Sequence, residues 1–156
     1  MNYAVIKPTD VANGPGVRVS LFVSGCTHHC KNCFNSEAWD FSYGKEFTEE
    51  TEEEILRLLS PEYIDGLTLL GGEPLEPANQ EGLLPLIRKA RARFPDKTIW
   101  CFTGYDFEKD VLGNMFSSSE VTRELVPLFD VMVDGKFVEE KKNLRLKFRG
   151  SENQRI

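Results

Sequence analysis

Four short apolar runs recur along the chain, Val17–Val23, Gly66–Leu70, Thr98–Phe102 and Phe129–Val133, and stretches with helical spacing separate them. This alternation is the feature that most limits the fold. Runs of that length, rich in β-branched and aromatic residues, read as buried strands. Strands joined through helices pair in parallel, and a parallel sheet must be covered by those helices. After the first run, Thr51-Glu52-Glu53-Glu54 predicts a capping-box helix start with Ile55, Leu58 and Leu59 as its apolar stripe. The acidic run 49–54 then reads as a solvated first turn favoured by the helix dipole. A second helix is expected over 81–94, with Leu83, Leu84, Ile87, Ala90 and Phe94 on one side and Pro95 as its stop. Pro85 is expected in its first turn or two, where a missing N–H costs least. One or two short helices are expected between Phe107 and Leu128, with Ser119 as a candidate cap. The expected class is α/β with a mostly parallel sheet, in a single domain spanning 1–156. At 156 residues the chain is too short for a full eight-stranded α/β barrel, which takes about 200 or more.

In such sheets ligands bind beyond the carboxyl ends of the strands. Four loops follow the predicted strands directly: the polar stretch 24–35, Gly71-Gly72-Glu73-Pro74, Thr103-Gly104-Tyr105 and Asp134-Gly135-Lys136. A parallel sheet would gather all four on one edge. Asn13-Gly14-Pro15-Gly16 ahead of the first strand reads as a loop, because glycines around a proline do not propagate a helix. The stretch 136–156 is rich in Lys and Arg and shows no clear periodicity.

The formal net charge is −6, which argues against an overall nucleic-acid-binding surface. Residues 1–8 carry no apolar signal-peptide region, and no window approaches the roughly 20 apolar residues of a membrane span. The expectation is a cytoplasmic protein, where thiols stay reduced. Its four cysteines then read as ligands or nucleophiles rather than disulfides.

Three of them form Cys26-x3-Cys30-x2-Cys33 within Gly25-Cys26-Thr27-His28-His29-Cys30-Lys31-Asn32-Cys33. Soft thiolates at this density select zinc, Cu(I) or an iron–sulfur cluster. A four-iron cluster held by three thiolates keeps one iron open, which suits chemistry rather than electron storage. The other reading is a zinc knot completed by His28 or His29. Against it, zinc sites usually draw ligand pairs from two places, and the chain offers no second Cys-x2-Cys or His-x3-His pair. Cys101 stands apart and reads as a small core residue of its strand.

The trio after a first strand, with the aromatic Phe34 next to the third cysteine, resembles the radical S-adenosylmethionine enzymes. Gly71-Gly72-Glu73-Pro74 resembles that superfamily's glycine-rich element near the methionyl amino group. Glycines let backbone approach a ligand, and a carboxylate complements an ammonium. The resemblance implies a shortened, partial (β/α) barrel and a [4Fe–4S] cluster on Cys26, Cys30 and Cys33. It also implies S-adenosylmethionine as cosubstrate, bound at the open iron and cleaved to methionine and a 5′-deoxyadenosyl radical.

Over nearly the whole chain the likeness narrows to the activating proteins of anaerobic ribonucleotide reductases. Asn13-Gly14-Pro15-Gly16, Trp100 with Thr103-Gly104-Tyr105, Val133-Asp134-Gly135-Lys136, and Arg149-Gly150-Ser151-x-Asn153-Gln154-Arg155 carry it. The implied reaction is hydrogen abstraction from a backbone glycine of the reductase large subunit, with a flavodoxin-like protein as electron donor and no nucleic-acid or membrane partner. Asp134 and Lys136 resemble an Asp-x-Lys pair near the cosubstrate; an ordinary Asp–Gly turn with an exposed lysine is the other reading. Thr103 either touches the cosubstrate or holds its own turn. Two further functions stand beside the activase: a radical enzyme acting on a small molecule, of the deazapurine-forming type, and a non-catalytic zinc-binding module.

Overall fold

The apolar runs form the middle of one six-stranded sheet. Its strands are β1 (Asn2–Asp10), β2 (Arg18–Val23), β3 (Lys45–Glu46), β4 (Gly66–Gly71), β5 (Thr98–Phe102) and β6 (Val131–Val133). The order is β3-β1-β2-β4-β5-β6 in the computed structural model, which describes residues 1–33 and 36–156. β2, β4, β5 and β6 run parallel, while β1 is antiparallel to both β2 and β3. The class is therefore α/β with a mostly parallel sheet, as the alternation predicts.

Side-chain alternation sorts the central strands into two faces. Val19, Leu21, Val23, Leu67, Leu69, Ile99 and Cys101 join one core cluster with Ile55 and Leu59 of α1 (Glu49–Leu59) and Leu83 and Ile87 of α2 (Pro77–Arg93). The opposite parity holds Arg18, Ser20, Phe22, Thr68, Leu70, Trp100 and Phe102, of which Leu70 and Phe102 line a cavity. Arg18 is 1% exposed in a strand that otherwise reads as apolar. Its guanidinium is satisfied by Thr68 Oγ1 at 2.8 Å, Thr98 Oγ1 at 2.9 Å and the Thr98 carbonyl at 2.8 Å, and it packs on the Trp100 ring. Burial lowers its pKa, against the opposing pull of Asp65 and Asp130.

The structure departs from the sequence reading at several elements. β1 was not anticipated, since its residues are mostly half-buried or exposed. Its ladder with β2 is irregular between Lys7 and Asp10, the place where Pro8 can sit without breaking pairing. α1 starts a turn earlier than expected. Thr48 is its cap, accepting from the Thr51 N–H, and Thr51 Oγ1 accepts from the Thr48 N–H in the role a glutamate usually fills. Glu52 is buried and pairs with Lys89 of α2, so the acidic run is not wholly solvated. α2 starts at Pro77, which places Pro85 in the helix interior rather than its first turns. Pro85 is exposed, so the carbonyl it leaves unpaired can turn to water.

Between β5 and β6 the chain forms a wide-wound helix, Phe107–Met115, whose bonds skip five residues (Val111 N–H to Asp106, Phe116 N–H to Val111). Short helices α3 (Phe116–Ser118) and α4 (Glu120–Leu125) follow, and Ser119 caps α4 by accepting from the Thr122 N–H at 3.2 Å. β6 covers only the last three residues of the predicted run 129–133. Among the described residues no helix is long and apolar enough to cross a membrane.

Candidate metal centre

The cysteine loop leaves β2 and is fixed at once to its neighbours. The Gly25 N–H donates to the Ala38 carbonyl at 2.7 Å, and the Cys26 N–H to the Trp39 carbonyl at 3.2 Å. On the other side the Gly72 N–H donates to Val23 at 2.8 Å and the Glu73 N–H to the Gly25 carbonyl at 2.7 Å. The glycines of the Gly71-Gly72 turn are thus required by protein backbone as well as by any ligand. A Cβ on Gly72 would lie 2.6 Å from the Gly25 carbonyl oxygen, and Gly71 has φ +114°. His29 and Asn32 take left-handed φ values of 49° and 57°, and the His29 ring stacks on Trp39 with centroids 4.4 Å apart. Phe34 lies outside the described residues.

Two buried carboxylates clip the loop from behind. Glu73 is 1% exposed and Glu76 5%. Glu73 Oε1 accepts from His28 Nε2 at 2.8 Å and from the Gly104 N–H at 2.7 Å. Its Oε2 accepts from the Leu75 N–H at 2.9 Å and Thr103 Oγ1 at 2.8 Å. Glu76 Oε1 accepts from both the Thr27 N–H, at 3.0 Å, and the Thr27 hydroxyl, at 2.7 Å, with the Tyr105 hydroxyl at 3.4 Å. Burial and then the Glu76 charge push the Tyr105 phenol up to about 12. The sequence offers His28 as the fourth ligand of a zinc knot and gives Glu76 no role; only the spacing Glu73-x2-Glu76 on a strand-to-helix turn hints at the latter.

Cys26, Cys30 and Cys33 line one cavity of about 410 Å³ at the carboxyl edge of the sheet. Gly71, Gly72, Glu73, Thr103, Gly104 and Gly135 line it too, so the predicted loops do converge. Pro74 is buried behind the turn. Asp134 is 4% exposed but engaged elsewhere, accepting from Arg155 Nη2 at 2.7 Å and the Phe107 N–H at 2.8 Å. Lys136 is exposed, close enough to Cys30 for its charge to favour the thiolate. Cys101 faces the helix-packed core. The basic ending is no free tail: Arg155 also bonds Glu108, and Gln154 accepts from the Gly150 and Ser151 N–H groups while donating to the Gly135 carbonyl. Arg149, Trp39 and Phe137 are cavity-lining residues that the sequence reading did not single out as contacts.

The donor set fits an iron–sulfur cluster. Burial pushes the Cys26 thiol up to about 11, opposed by the His28 and His29 N–H groups that point at its sulfur; a thiolate there needs a metal partner. The Phe137 N–H points likewise at Cys30. Four ligands on one zinc ion would sit about 4 Å apart. Among the described residues the ligand atoms that lie within 4.8 Å of one another are those of Asp106, Glu108 and Asp134, with Arg155 as counter-ion, and not the three thiols with a histidine. Among the described residues no tetrahedral zinc site of thiols and histidine is therefore preformed.

Residues 12–156 match the family described as a 4Fe-4S single cluster domain. The class defined by fold and site is therefore a single-cluster iron–sulfur domain. Among curated proteins, the chain is 44% identical to the anaerobic ribonucleoside-triphosphate reductase-activating protein of Haemophilus influenzae, over 100% of this chain and 97% of that protein. It is 46% identical to the protein of the same name from Enterobacteria phage T4, over 100% of this chain and 93% of the other. With the Escherichia coli K12 protein, also of that name, it shares 41% over 99% and 96%. The chain belongs to the family of anaerobic ribonucleoside-triphosphate reductase-activating proteins.

Proposed function

We propose that this chain activates an anaerobic ribonucleoside-triphosphate reductase by radical S-adenosylmethionine chemistry, as a glycyl-radical-generating oxidoreductase in the cytoplasm. The observation that carries the reading is the meeting of three thiols with the Gly71-Gly72 turn in one cavity, in a chain similar over its full length to proteins of that name. In this reading Cys26, Cys30 and Cys33 hold a [4Fe–4S] cluster with one iron open. The turn Gly71–Pro74, Thr103 and the Asp134–Lys136 loop form the cosubstrate side. When bound, the cluster supplies the electron that breaks the sulfonium carbon–sulfur bond of S-adenosylmethionine.

The chain's own part is binding, orientation and exclusion of water. Residues 1–156 act as one domain, and the sheet is read as a shortened, partial (β/α) barrel. Its helix-covered face is packed, and its other face carries the cavity. The reductase large subunit presents a backbone glycine, whose lack of a side chain admits it to the site. The electron comes from a reduced flavodoxin-like protein.

The test is anaerobic incubation of the reconstituted chain with the reductase, S-adenosylmethionine and a reductant. An EPR signal of a carbon radical on the reductase, with 5′-deoxyadenosine released, supports the proposal. Release of 5′-deoxyadenosine only when a small heterocycle is supplied would replace it with a small-molecule radical enzyme. Zinc without iron or sulfide would replace it with a binding module.

A further inference from the structure

The side chain of Glu73 has no capacity left for a ligand. A carboxylate offers about four acceptor positions on its two oxygens and no donor. Protein donors fill all four: His28 Nε2, the Gly104 N–H, the Leu75 N–H and the Thr103 hydroxyl, at 2.7 to 2.9 Å. Two of these are backbone groups that cannot turn away without moving the chain. At 1% exposure, the loss of any one would leave a buried polar group unpaired. An ammonium could reach this carboxylate only by displacing such a partner.

We infer that Glu73 is a positioning residue that holds the cysteine loop through His28, and is not the side chain that receives the cosubstrate's ammonium. The inference rests on the reading that Cys26, Cys30 and Cys33 hold the cluster. His28 lies between the first two of these ligands. Its side chain is 7% exposed, and its ring meets Tyr105 edge-on with centroids 4.4 Å apart. The ring also packs so closely on Gly104 that a Cβ there would lie 2.6 Å from it. Because a carboxylate only accepts, Nε2 carries the imidazole hydrogen, and the ring is fixed in tautomer and orientation. Glu76 does the same for Thr27. The two acids thus clip the loop between the first and second cysteines to the edge of the sheet.

Glu73→Gln keeps shape but places a donor against donors. His28→Phe keeps the ring but removes the N–H, and His28→Gln restores an N–H at a similar reach. Hydrogen exchange of the metal-free chains reads the clip directly: amides 26–30 should exchange faster in Glu73→Gln and His28→Phe, and near the wild-type rate in His28→Gln. With iron and sulfide loaded anaerobically, cluster loss to a chelator should be about tenfold faster or more in the first two variants, with recovery in His28→Gln. S-adenosylmethionine affinity per loaded cluster, read from the shift of the cluster's EPR signal, should stay within about threefold of wild type in Glu73→Gln. Wild-type exchange and cluster retention in Glu73→Gln, with affinity weakened about tenfold, would overturn the inference and make Glu73 a direct ligand. A wild-type chain that takes up no iron would overturn the cluster reading instead. If Glu73→Gln does not fold, the contrast between His28→Phe and His28→Gln decides: equal behaviour of the two refutes the clip.

Discussion

Replacing Gly72 by alanine tests how the glycine turn meets the cysteine loop. Gly72 does not use a left-handed φ, so alanine brings no backbone strain and the effect isolates a collision. The new methyl would lie 2.6 Å from the Gly25 carbonyl oxygen and 2.8 Å from that of Ala38. Both oxygens are already engaged at 2.7 Å, by the Glu73 and Gly25 N–H groups respectively. Relief therefore means moving backbone by roughly half an ångström and loosening two hydrogen bonds. Overpacking of this kind costs about 1–3 kcal/mol and each weakened bond adds up to about 1, so we expect a loss of about 3 kcal/mol. For a chain of this size that lowers the melting temperature by about 6–12 °C. Scanning calorimetry of the metal-free protein reads this, and iron per chain after reconstitution should fall with it. Gly113→Ala is the control, since its Cβ would meet only the Glu108 carbonyl at 3.2 Å, and it should shift stability by less than about 1 kcal/mol. A Gly72→Ala protein with unchanged melting and full iron would refute the wedged turn.

Other predictions follow from the same geometry. Cys26→Ala, Cys30→Ala and Cys33→Ala should each abolish cluster binding and cosubstrate cleavage, while Cys101→Ala, on the helix-packed side, should spare both; iron and sulfide analysis with a 5′-deoxyadenosine assay checks them. Tyr105 holds its proton more tightly folded, with a value of about 12, than unfolded near 10. Its contribution to stability is therefore complete below pH 10 and lost as pH rises from about 10 to 12, with Cys26 acting in the same direction from about 9 to 11. Tyr105 should ionise only with unfolding in an absorbance titration, and Tyr105→Phe should remove that late phase. Lys141, Lys142, Arg145 and Lys147 are exposed around Leu144, which is 89% exposed, on the segment leading to cavity-lining Phe148 and Arg149. Reversing these four charges should weaken reductase binding at low salt by about tenfold or more and leave cosubstrate cleavage without the reductase unchanged; calorimetric titration at two salt concentrations measures it.

The parallel core was legible because its signals are local. Apolar runs of five to seven residues gave β2, β4 and β5 nearly to the residue, and the loops after them gave the edge that carries the site. β1 escaped because a strand that is mostly half-buried or exposed, and flanked on its outer side only by the two-residue β3, needs neither strict alternation nor apolar bulk. Arg18 is a charge inside an apolar run, and the partners that make it a core residue, Thr68 and Thr98, are 50 and 80 positions away. The same distance problem governs the site. The thiol trio is contiguous and could be read directly. The Glu73–His28 pair joins positions 45 apart, so a motif that suggested a ligand-binding carboxylate gave no sign of the donors that fill it. Asp134 shows the limit again, for its guanidinium partner Arg155 arrives from the far end of the chain.

The most direct test of the central claim is EPR of the anaerobically reconstituted and reduced protein, with and without S-adenosylmethionine. Three thiol ligands and an open iron predict a [4Fe–4S]⁺ signal whose shape changes when the cosubstrate is added. A reduced cluster with a signal indifferent to S-adenosylmethionine, or no cluster at all, would contradict it.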